Sequence, residues 1–296
     1  MRDSMFRRFT LLSVLALSFV LTALIPLVIF GFSIIQVASD QLVQRTLQEL
    51  KRSVLDDAHN IQHAFDMAQG DLPILSQLPA VRELVRAKAG TNPREIELAR
   101  TVVGQVFLTF SSNRKAYNQL RYIDENGREV VRVDYDRTHP PRLIPWERLQ
   151  EQRQRDYFSE TMTLESGQVY TSPPDLNRER GQIEVPYRPV IRYATPLFDD
   201  AGHRRGIVII NLMVGPLLDE LYQETKAARK VVYAVDQEGF YLLHPDPVKQ
   251  WGGPRDLNTG QRLQQDFPTL ASQILSQQTV ATVMGKQVIT SQSGPG

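Results

Sequence analysis

The chain has 296 residues, of which 42% are hydrophobic, so its length suffices for one large core or two ordinary ones. Its 34 basic and 33 acidic residues give a net charge of +1, so no overall field attracts nucleic acid and we expect no nucleic-acid partner. The sequence has no cysteine, which excludes disulfides, thiolate metal sites and a cysteine nucleophile, and which is compatible with an oxidising compartment such as a bacterial periplasm.

The N-terminal residues predict a membrane-spanning helix. Residues 9–39 hold no charged side chain, and residues 9–35 are dominated by Leu, Val, Ile, Phe and Ala. At about 1.5 Å per residue, such a segment is long enough to cross a hydrocarbon core of about 30 Å. The positive-inside rule keeps residues 1–8 in the cytoplasm and sends the chain beyond Asp40 to the other side, because three arginines precede the span: Arg2, Arg7 and Arg8.

A cleaved signal peptide is the alternative interpretation of this segment. The apolar region of a signal peptide is typically about 7–15 residues long, and the one here is about twice that length. The length therefore favours a retained anchor in the cytoplasmic membrane.

An amphipathic helix is predicted directly after the span. A single apolar stripe recurs at steps of three and four residues through Val43, Leu47, Leu50, Val54, Ala58, Ile61, Phe65 and Ala68. Such a stripe must be buried, either against the protein's own domain or along the seam of a parallel homodimer, and its period fits both. Gly70, Pro73 and Pro79 predict the end of this helix, and another helix is predicted over residues 93–110.

An antiparallel sheet is predicted next. A hairpin is expected over residues 118–135 around Asn126-Gly127, a strong short-range turn signal. After a helical turn at residues 156–162, three more strands are predicted at residues 167–172, 188–198 and 206–212. Together these elements predict an α+β domain whose five-stranded sheet is covered by helices on one face.

The remaining residues predict a second, smaller module. A short helix over residues 216–226 precedes a hairpin over residues 231–244, whose Tyr-Ala-Val-Asp-Gln-Glu-Gly echoes Tyr-Ile-Asp-Glu-Asn-Gly of the first hairpin. The echo predicts a duplicated architecture in which residues 36–215 form the first module with its long helix, and residues 216–296 form an incomplete second one. One more hairpin is expected over residues 279–290.

Polar side chains are concentrated in the loop between the strands predicted at residues 167–172 and 188–198. Such a loop is typical of a binding site, and its polar residues include Asp175, Asn177, Arg178, Glu179, Arg180 and Glu184. The sequence contains no phosphate loop, nucleophile elbow or zinc helix, and no nucleophile with a base can be named. We therefore expect no enzyme within these residues, and any kinase or cyclase output domain is expected beyond residue 296.

These motifs together resemble the double Cache sensor domains of bacterial transmembrane receptors. The resemblance covers residues 36–296 and rests on the anchor, the long helix, the hairpin of residues 121–134, Arg-Asp-Tyr-Phe at residues 155–158, and the runs at residues 167–196, 206–212 and 235–247. It is most specific over residues 175–195, which are similar to sensor domains of histidine kinases and diguanylate cyclases. It implies two PAS-like modules stacked on one long helix, with a small ligand in the membrane-distal module.

The resemblance also implies ligand-binding positions. These fall on Arg155, Tyr157, Tyr170, Ser172 and Asp175, and we add Asn177 and Arg192 from their polarity and placement. Amino-acid-binding members of the family resemble one another in an Arg-x-Trp-Tyr motif, whereas Arg-Asp-Tyr-Phe here keeps the cation and replaces both aromatic residues. The Asp-Leu-Asn loop also differs from their Asp-x-x-Thr pattern, so the identity of the ligand stays open.

The predicted site residues favour an anionic ligand. Arg155 and Arg192 supply forked donors suited to a carboxylate or phosphate, and two tyrosines add walls with polar tips. Asp175 is placed to accept a donor from the other end of the same molecule. We therefore expect a small carboxylate-bearing metabolite, which in some cases also carries an amino or hydroxyl group, and neither a cofactor nor a metal.

Simpler structural explanations exist for several of these residues. Asp175 is explained as a cap of the polar loop, and Arg192 as a structural partner of Glu184. His59 and His63 have the spacing of a metal pair, but a solvated helix face explains them better. For the whole chain, the alternative is a ligand-free adhesion or scaffold module with solidly packed cores, from which an internal pocket of a few hundred Å³ would distinguish a sensor.

We expect two chains anchored side by side to associate along the apolar stripe, because the membrane raises their effective concentration. The sequence has no cysteine, so Leu47→Cys introduces a single thiol. A membrane-impermeant cross-linker with two thiol-reactive groups, added to intact spheroplasts, should join two such chains. Arg45→Cys and Arg52→Cys, on the opposite helix face, are the matched controls. Cross-linking at the control positions but not at position 47 would reject the seam, and protection of all three thiols until lysis would reject the topology.

Overall fold

The computed structural model describes residues 3–90, 92–227, 230–276, 279–284 and 287–292. Its helices are α1 (Asp3–Gln77), α2 (Pro79–Ala89), α3 (Pro93–Asn113), α4 (Asp156–Thr161), α5 (Gly215–Ala227), α6 (Leu263–Asp266) and α7 (Pro268–Ser276), with single 3-10 turns at Trp146–Arg148 and Pro247–Lys249. Its strands are β1 (Tyr117–Ile123), β2 (Glu129–Asp134), β3 (Arg142–Leu143), β4 (Tyr170–Thr171), β5 (Asp175–Leu176), β6 (Arg178–Glu179), β7 (Gln182–Ile183), β8 (Pro189–Phe198), β9 (Arg204–Met213), β10 (Ala234–Val235), β11 (Tyr241–Leu243), β12 (Thr279–Met284) and β13 (Gln287–Gln292).

The chain divides into two compact units. One contains residues 1–55 with 281–290, and the other contains residues 56–280 with 291–296. Within the first unit, the segment Ser13–Ala38 of α1 has a mean hydropathy of 2.6 and is long and apolar enough to cross a membrane. The predicted N-terminal apolar helix is therefore confirmed, and its described part overlaps the predicted span of residues 9–35. The module boundaries at residues 36, 215 and 216 stay predictions.

Helix α1 runs through Gly70 and Pro73, where the sequence predicted an end or a break, and it ends at Gln77, two residues before the third predicted breaker, Pro79. A proline inside a helix costs about 3 kcal/mol, yet Leu72 and Leu75 are fully buried, and burying a leucine stabilises by about 1.5–3 kcal/mol. Tertiary packing therefore outweighs the local signals. Helix α2, which was not predicted, then begins with Pro79 in its first turn, where a missing N–H costs nothing.

The predicted apolar stripe is buried at its C-terminal end. Ala68 belongs to the main core and Phe65 packs against it, so this part of the stripe covers the protein's own domain. The side chains of Val43, Leu47, Leu50, Val54 and Ala58 lie outside the described residues. The dimer seam over that part stays a prediction.

The large sheet of the second unit is antiparallel. Its order is β3-β2-β1-β9-β8-β4, and β5 also pairs with β8. The five predicted strands are present as β2, β1, β9, β8 and β4, but the strand expected over residues 167–172 is reduced to Tyr170–Thr171. The expected count of five was too low, because two-residue strands such as β3 and β5 are too short to show an alternating pattern.

One face of the large sheet packs on helices. Alternate residues of the central strands, such as Leu120, Tyr122 and Ile210, share a core with Leu84 of α2 and Phe107 of α3. The main core thus lies between the sheet and helices α1, α2 and α3. The opposite face of the sheet is left for other contacts.

A buried polar contact ties α1 to this sheet. The carboxylate of Asp71 on α1 accepts hydrogen bonds from Arg114 Nε at 2.8 Å and from the hydroxyl of Tyr117 on β1. Burial and the bond to Asp71 raise the pKa of Tyr117 above its usual range. The C-terminal end of α1 is therefore fixed to this end of the sheet.

The C-terminal region contains a second hairpin, as predicted, with shorter strands. Strands β10 and β11 pair around the Asp236 turn, and Trp251 that follows them belongs to the main core. Strands β12 and β13 form the hairpin expected over residues 279–290, and its side chains lie outside the described residues.

Candidate ligand-binding site

The second face of the large sheet carries buried polar side chains. Arg121 lies opposite Arg132 in the pairing of β1 with β2, and Asn211 of β9 lies opposite both Gln119 and Arg192. Residues directly opposite each other point to the same face, so these five side chains form one polar surface. Each of the five residues is at most 5% exposed.

Arg121 is at the centre of this surface. Its Nη1 lies 3.2 Å from Oε1 of Glu129, which is itself fully buried, and its Nη2 donates to Oδ1 of Asn211 at 2.9 Å. Its Nε has no partner among the described residues. Burial lowers the pKa of Arg121, but Tyr157 and Glu129 outweigh that effect and raise it.

Tyr157 is surrounded by three guanidinium groups. The Cζ atoms of Arg121, Arg155 and Arg192 lie 5.5, 5.6 and 5.5 Å from the centre of its ring. Contacts of this kind stabilise by about 0.5–2 kcal/mol each. The phenol hydroxyl donates to Gln152 Oε1 at 2.9 Å. Helix α4 holds the ring in place because Phe158, one residue on, packs in an apolar cluster with Ile123, Ala194, Ile207 and Ile209.

The polar loop covers the other end of this surface. Arg192 Nη1 donates to the carboxylate of Asp175, while Asn177 Oδ1 accepts from Asn211 Nδ2 at 3.3 Å. Glu184 pairs with Arg188 at 3.0 Å, so the expected bridge between Arg192 and Glu184 is wrong. Arg192 reaches Asp175 because Asp175 lies opposite Val190, two residues before Arg192 on β8, whereas Asn177 stands between Arg192 and Glu184.

All seven predicted residues lie in this region, but they differ in the contacts that they make. Arg192, Asp175 and Asn177 share one hydrogen-bond network, and Tyr170 packs beside Tyr157, where burial raises its pKa. The hydroxyl of Ser172 is occupied by backbone, because it accepts from Arg192 N at 2.9 Å and donates to Pro173 O at 2.8 Å. Arg155 is half-buried, and in the described part of the chain no ion pair is found for its guanidinium.

Several residues of the network were missed at the level of sequence. The polar residues at alternate positions of β1 are a signal that would have found two of them, since an otherwise buried strand needs no polar side chain there. Asn211 gives a similar signal inside the apolar run of β9. The missed residues are Gln119, Arg121, Glu129, Arg132, Gln152 and Asn211.

A cleft of about 390 Å³ opens beside the network. Its walls come from Gln119 and Arg132 of the sheet, from β3, from the segment between β2 and Gln150, and from the β6–β7 hairpin. None of the seven predicted residues lines it. Its connection to the network is Glu179, which accepts from Gln119 Nε2 at 2.7 Å and from Arg132 Nη2 at 2.6 Å. Burial raises the pKa of Glu179, but these bonds and the charge of Arg132 outweigh burial and lower it to about 2.

Solved structures share this architecture. An extracellular domain described as that of a histidine kinase, vpHK1S-Z8, has a TM-score of 0.71 at 21% identity and covers 84% of this chain and 85% of its own. A domain of a sensory box/GGDEF family protein from Vibrio parahaemolyticus has a TM-score of 0.68 at 20% identity, covering 82% and 90%. The periplasmic sensory domain of the Campylobacter jejuni chemoreceptor Tlp1 has a TM-score of 0.54 at 12% identity, covering 82% and 94%. The predicted Cache-like α+β fold is confirmed.

The family is also identified from the sequence. The model of the sensor domain of bacterial histidine kinases matches residues 76–289. This match covers more than half of the chain, so the protein belongs to the bacterial histidine kinase sensor domain family. A search of curated proteins finds no match.

The loop that carries Asp175 and Asn177 is also held by the C-terminal region. Asp256 Oδ1 accepts from the backbone N of Leu176 at 2.7 Å, and Arg178 Nη2 donates to the carbonyl of Arg255 at 2.7 Å. Burial raises the pKa of Asp256 to about 6, with a further contribution from the charge of Asp175, although the Leu176 bond lowers it.

A pH dependence of stability follows from Asp256. Its pKa of about 6 in the folded protein lies above the ordinary aspartate value, so its contribution to stability is fully present below pH ~4 and is lost as the pH rises through 6. Asp256→Asn keeps an acceptor for the Leu176 N–H without the charge. We expect this variant to melt above the wild type at pH ~7.5, and the difference to shrink toward pH ~4.5.

Thermal unfolding of the full chain in detergent across this pH range measures the effect. Asp219→Asn, on the exposed part of α5, is the control that removes a carboxylate without this contact. A difference between Asp256→Asn and wild type that stays constant with pH would contradict the assignment.

Proposed function

We propose that the chain is the ligand-sensing region of a membrane-anchored signal-transduction receptor, and that a small carboxylate-bearing metabolite binds on the polar face of the large sheet. The observation that carries this proposal is the burial of Arg121, Arg132 and Arg192 on a face where apolar residues would fold at less cost. Replacing buried ion pairs by apolar side chains is often neutral or stabilising by about 1–4 kcal/mol. Stability alone therefore does not explain this surface.

Arg155 is the proposed anchor for the carboxylate. It lies at the N-terminal end of α4, its ring contact with Tyr157 fixes its position, and no ion pair occupies its fork within the described residues. A guanidinium can grip a carboxylate through two parallel hydrogen bonds. Arg192 also contacts the ring of Tyr157 and would share its charge between Asp175 and the ligand.

The remaining predicted residues complete the proposed site. Tyr157 and Tyr170 form apolar walls with polar tips. Asp175 and Asn177 would accept or donate hydrogen bonds to an amino or hydroxyl group at the far end of the ligand. Ser172 acts through the backbone of β8, which it holds at Arg192.

Signal transfer is proposed to start at the polar loop. A ligand that competes for Asp175 or Arg192 alters the position of residues 175–178, and these are the residues that Asp256 and Arg255 hold from the C-terminal region. The sheet is also tied to α1 through Asp71. Ligand binding would then shift the balance between two arrangements of the two modules, 36–215 and 216–296, and of the helix that leads to the inner membrane.

An adhesion or scaffold module is the second candidate. It requires solidly packed modules, whereas a polar cleft of about 390 Å³ beside a buried arginine network favours ligand binding. Membership of a sensor domain family points the same way. Three further statements remain parts of the proposal. The chain forms a homodimer through the long helix α1, it is anchored in the inner membrane, and it has no catalytic activity of its own.

The site is tested by thermal-shift screening of the full chain in detergent against organic acids, amino acids and amines. We expect hits among carboxylates. Arg155→Ala should weaken them about 10- to 150-fold, because the loss of a charge-assisted partner costs about 1.5–3 kcal/mol. Asp175→Ala should weaken only those hits that carry an amino or hydroxyl group.

Arg153→Ala is the matched control, since Arg153 donates to the backbone of Asn126, outside this network. It should leave every hit unchanged. If no compound moves the wild-type transition, or if the hits survive both Arg155→Ala and Asp175→Ala, the proposed site is wrong. A fall in the melting temperature of unliganded Arg155→Ala with no change in ligand shifts would make Arg155 structural.

A further inference from the structure

The cleft beside the network has walls that are rich in charge. Its basic lining residues are Arg132, Arg142, Arg148, Arg180 and Arg188, and its acidic lining residues are Asp134, Asp136, Glu179 and Glu184. The two sets are nearly equal in number, so their formal charges nearly cancel. Which of these charges face a ligand therefore depends on which are already bound by the protein.

The four acidic side chains are all occupied by protein donors. Asp134 receives Nε and Nη2 of Arg132 at 2.7 and 2.9 Å, and Glu184 receives Arg188 and Asn177. Glu179 is bound by Arg132, Gln119 and Gln150.

The fourth acid, Asp136, is bound by its own loop. Its Oδ1 accepts from the backbone N of Thr138 at 3.0 Å, from the Thr138 hydroxyl at 2.8 Å and from the backbone N of His139 at 2.9 Å. Burial raises the pKa of Asp136, but these bonds outweigh burial and lower it. The acids of the cleft thus serve to fix its walls.

Three arginines that line the cleft differ from these acids, because their charges are not paired within the described residues. Arg142, Arg148 and Arg180 are exposed, and no ion pair is found for any of them within the described ranges. They come from three different elements, namely β3, the 3-10 turn Trp146–Arg148 and the β6–β7 hairpin. Three forked donors from separate elements therefore border one cavity.

Arg180 is held in an unusual backbone conformation. Its φ is 50°, in the left-handed region that side chains other than glycine rarely adopt, although Gly181 stands next to it. Its backbone N donates to Gln150 Oε1 at 3.0 Å, which fixes the hairpin beside the cleft. Gly181 has a φ of 81°, and a two-residue turn between paired strands favours positive φ at both positions, so the conformation of Arg180 follows from the hairpin.

We propose that this cleft is a second binding site, distinct from the site around Tyr157, and that it takes a small multiply charged oxyanion. Arg142, Arg148 and Arg180 bind its oxygens, and the buried Arg132 and Gln119, fixed by Glu179, form the floor. The volume of about 390 Å³ suits a compact molecule. Phosphate groups and dicarboxylates share this chemistry.

Calorimetry on the full chain in detergent tests the proposal, with inorganic phosphate and malonate as probes and acetate as the singly charged control at constant ionic strength. We expect at least one doubly charged probe to bind ~10-fold or more tightly than acetate. Arg148→Ala and Arg180→Gly should each weaken it ~10-fold or more, the loss expected for one charge-assisted partner. Arg180→Gly suits the left-handed backbone and so preserves the fold.

Arg155→Ala removes the anchor of the site around Tyr157, so it should leave phosphate binding unchanged and should leave the malonate binding that depends on Arg148 and Arg180. If Arg155→Ala abolishes binding while Arg148→Ala does not, the anion occupies the Tyr157 site and the second site is rejected. If neither probe binds better than acetate, or if the combined Arg148→Ala and Arg180→Gly variant binds like wild type, the three arginines are a solvated basic face. Binding of an anion in this cleft does not depend on whether the organic-acid screen finds a ligand that binds through Arg155.

Discussion

The buried pair of Arg121 and Glu129 is the constraint on which the polar face of the sheet depends. Removing two charges from water costs several kcal/mol each and is offset only when the remaining donors and acceptors are satisfied. Glu129 therefore also accepts from the backbone N of Gln150 and from Gln152 Nε2, each at 3.0 Å. Because Gln152 in turn accepts from Tyr157, one buried carboxylate positions both the aromatic wall of the candidate site and the segment that leads to the cleft.

The two faces of the sheet bury different side chains. The helix face is filled by apolar side chains, whereas the other face holds the buried charges beside a smaller apolar cluster around Phe158. The polar loop connects that face to the C-terminal region, since Asp175 faces Arg192 while its neighbour Leu176 is bound to Asp256. A ligand that acts on the first contact therefore acts within one residue of the second.

The sequence predicted those elements well whose conformation depends only on neighbouring residues. The turn at Asn126-Gly127 was predictable because Gly127 has a φ of 82° and a Cβ there would lie 2.6 Å from Arg153. Pro79 marked the end of α1, but Gly70 and Pro73 did not, because they are outweighed by burial of leucines whose partners lie far along the chain. Of the site residues, Arg192, Asp175 and Asn177 could be predicted from the sequence, because they lie in or next to one polar loop. The pairing of Arg121 with Asn211 depends on β1 lying beside β9, and the cleft depends on an irregular segment without periodicity, so neither could be read from spacing.

Hydrogen exchange at the polar loop tests most directly whether the ligand site and the C-terminal region are coupled through it. Exchange is measured by mass spectrometry on the full chain, with and without the carboxylate that gives the largest thermal shift, at saturating concentration. The account predicts that peptides covering residues 173–187 and 251–262 change their protection together, because Leu176 N–H is bound to Asp256. Altered protection around Tyr157 with no change in residues 251–262 would contradict it.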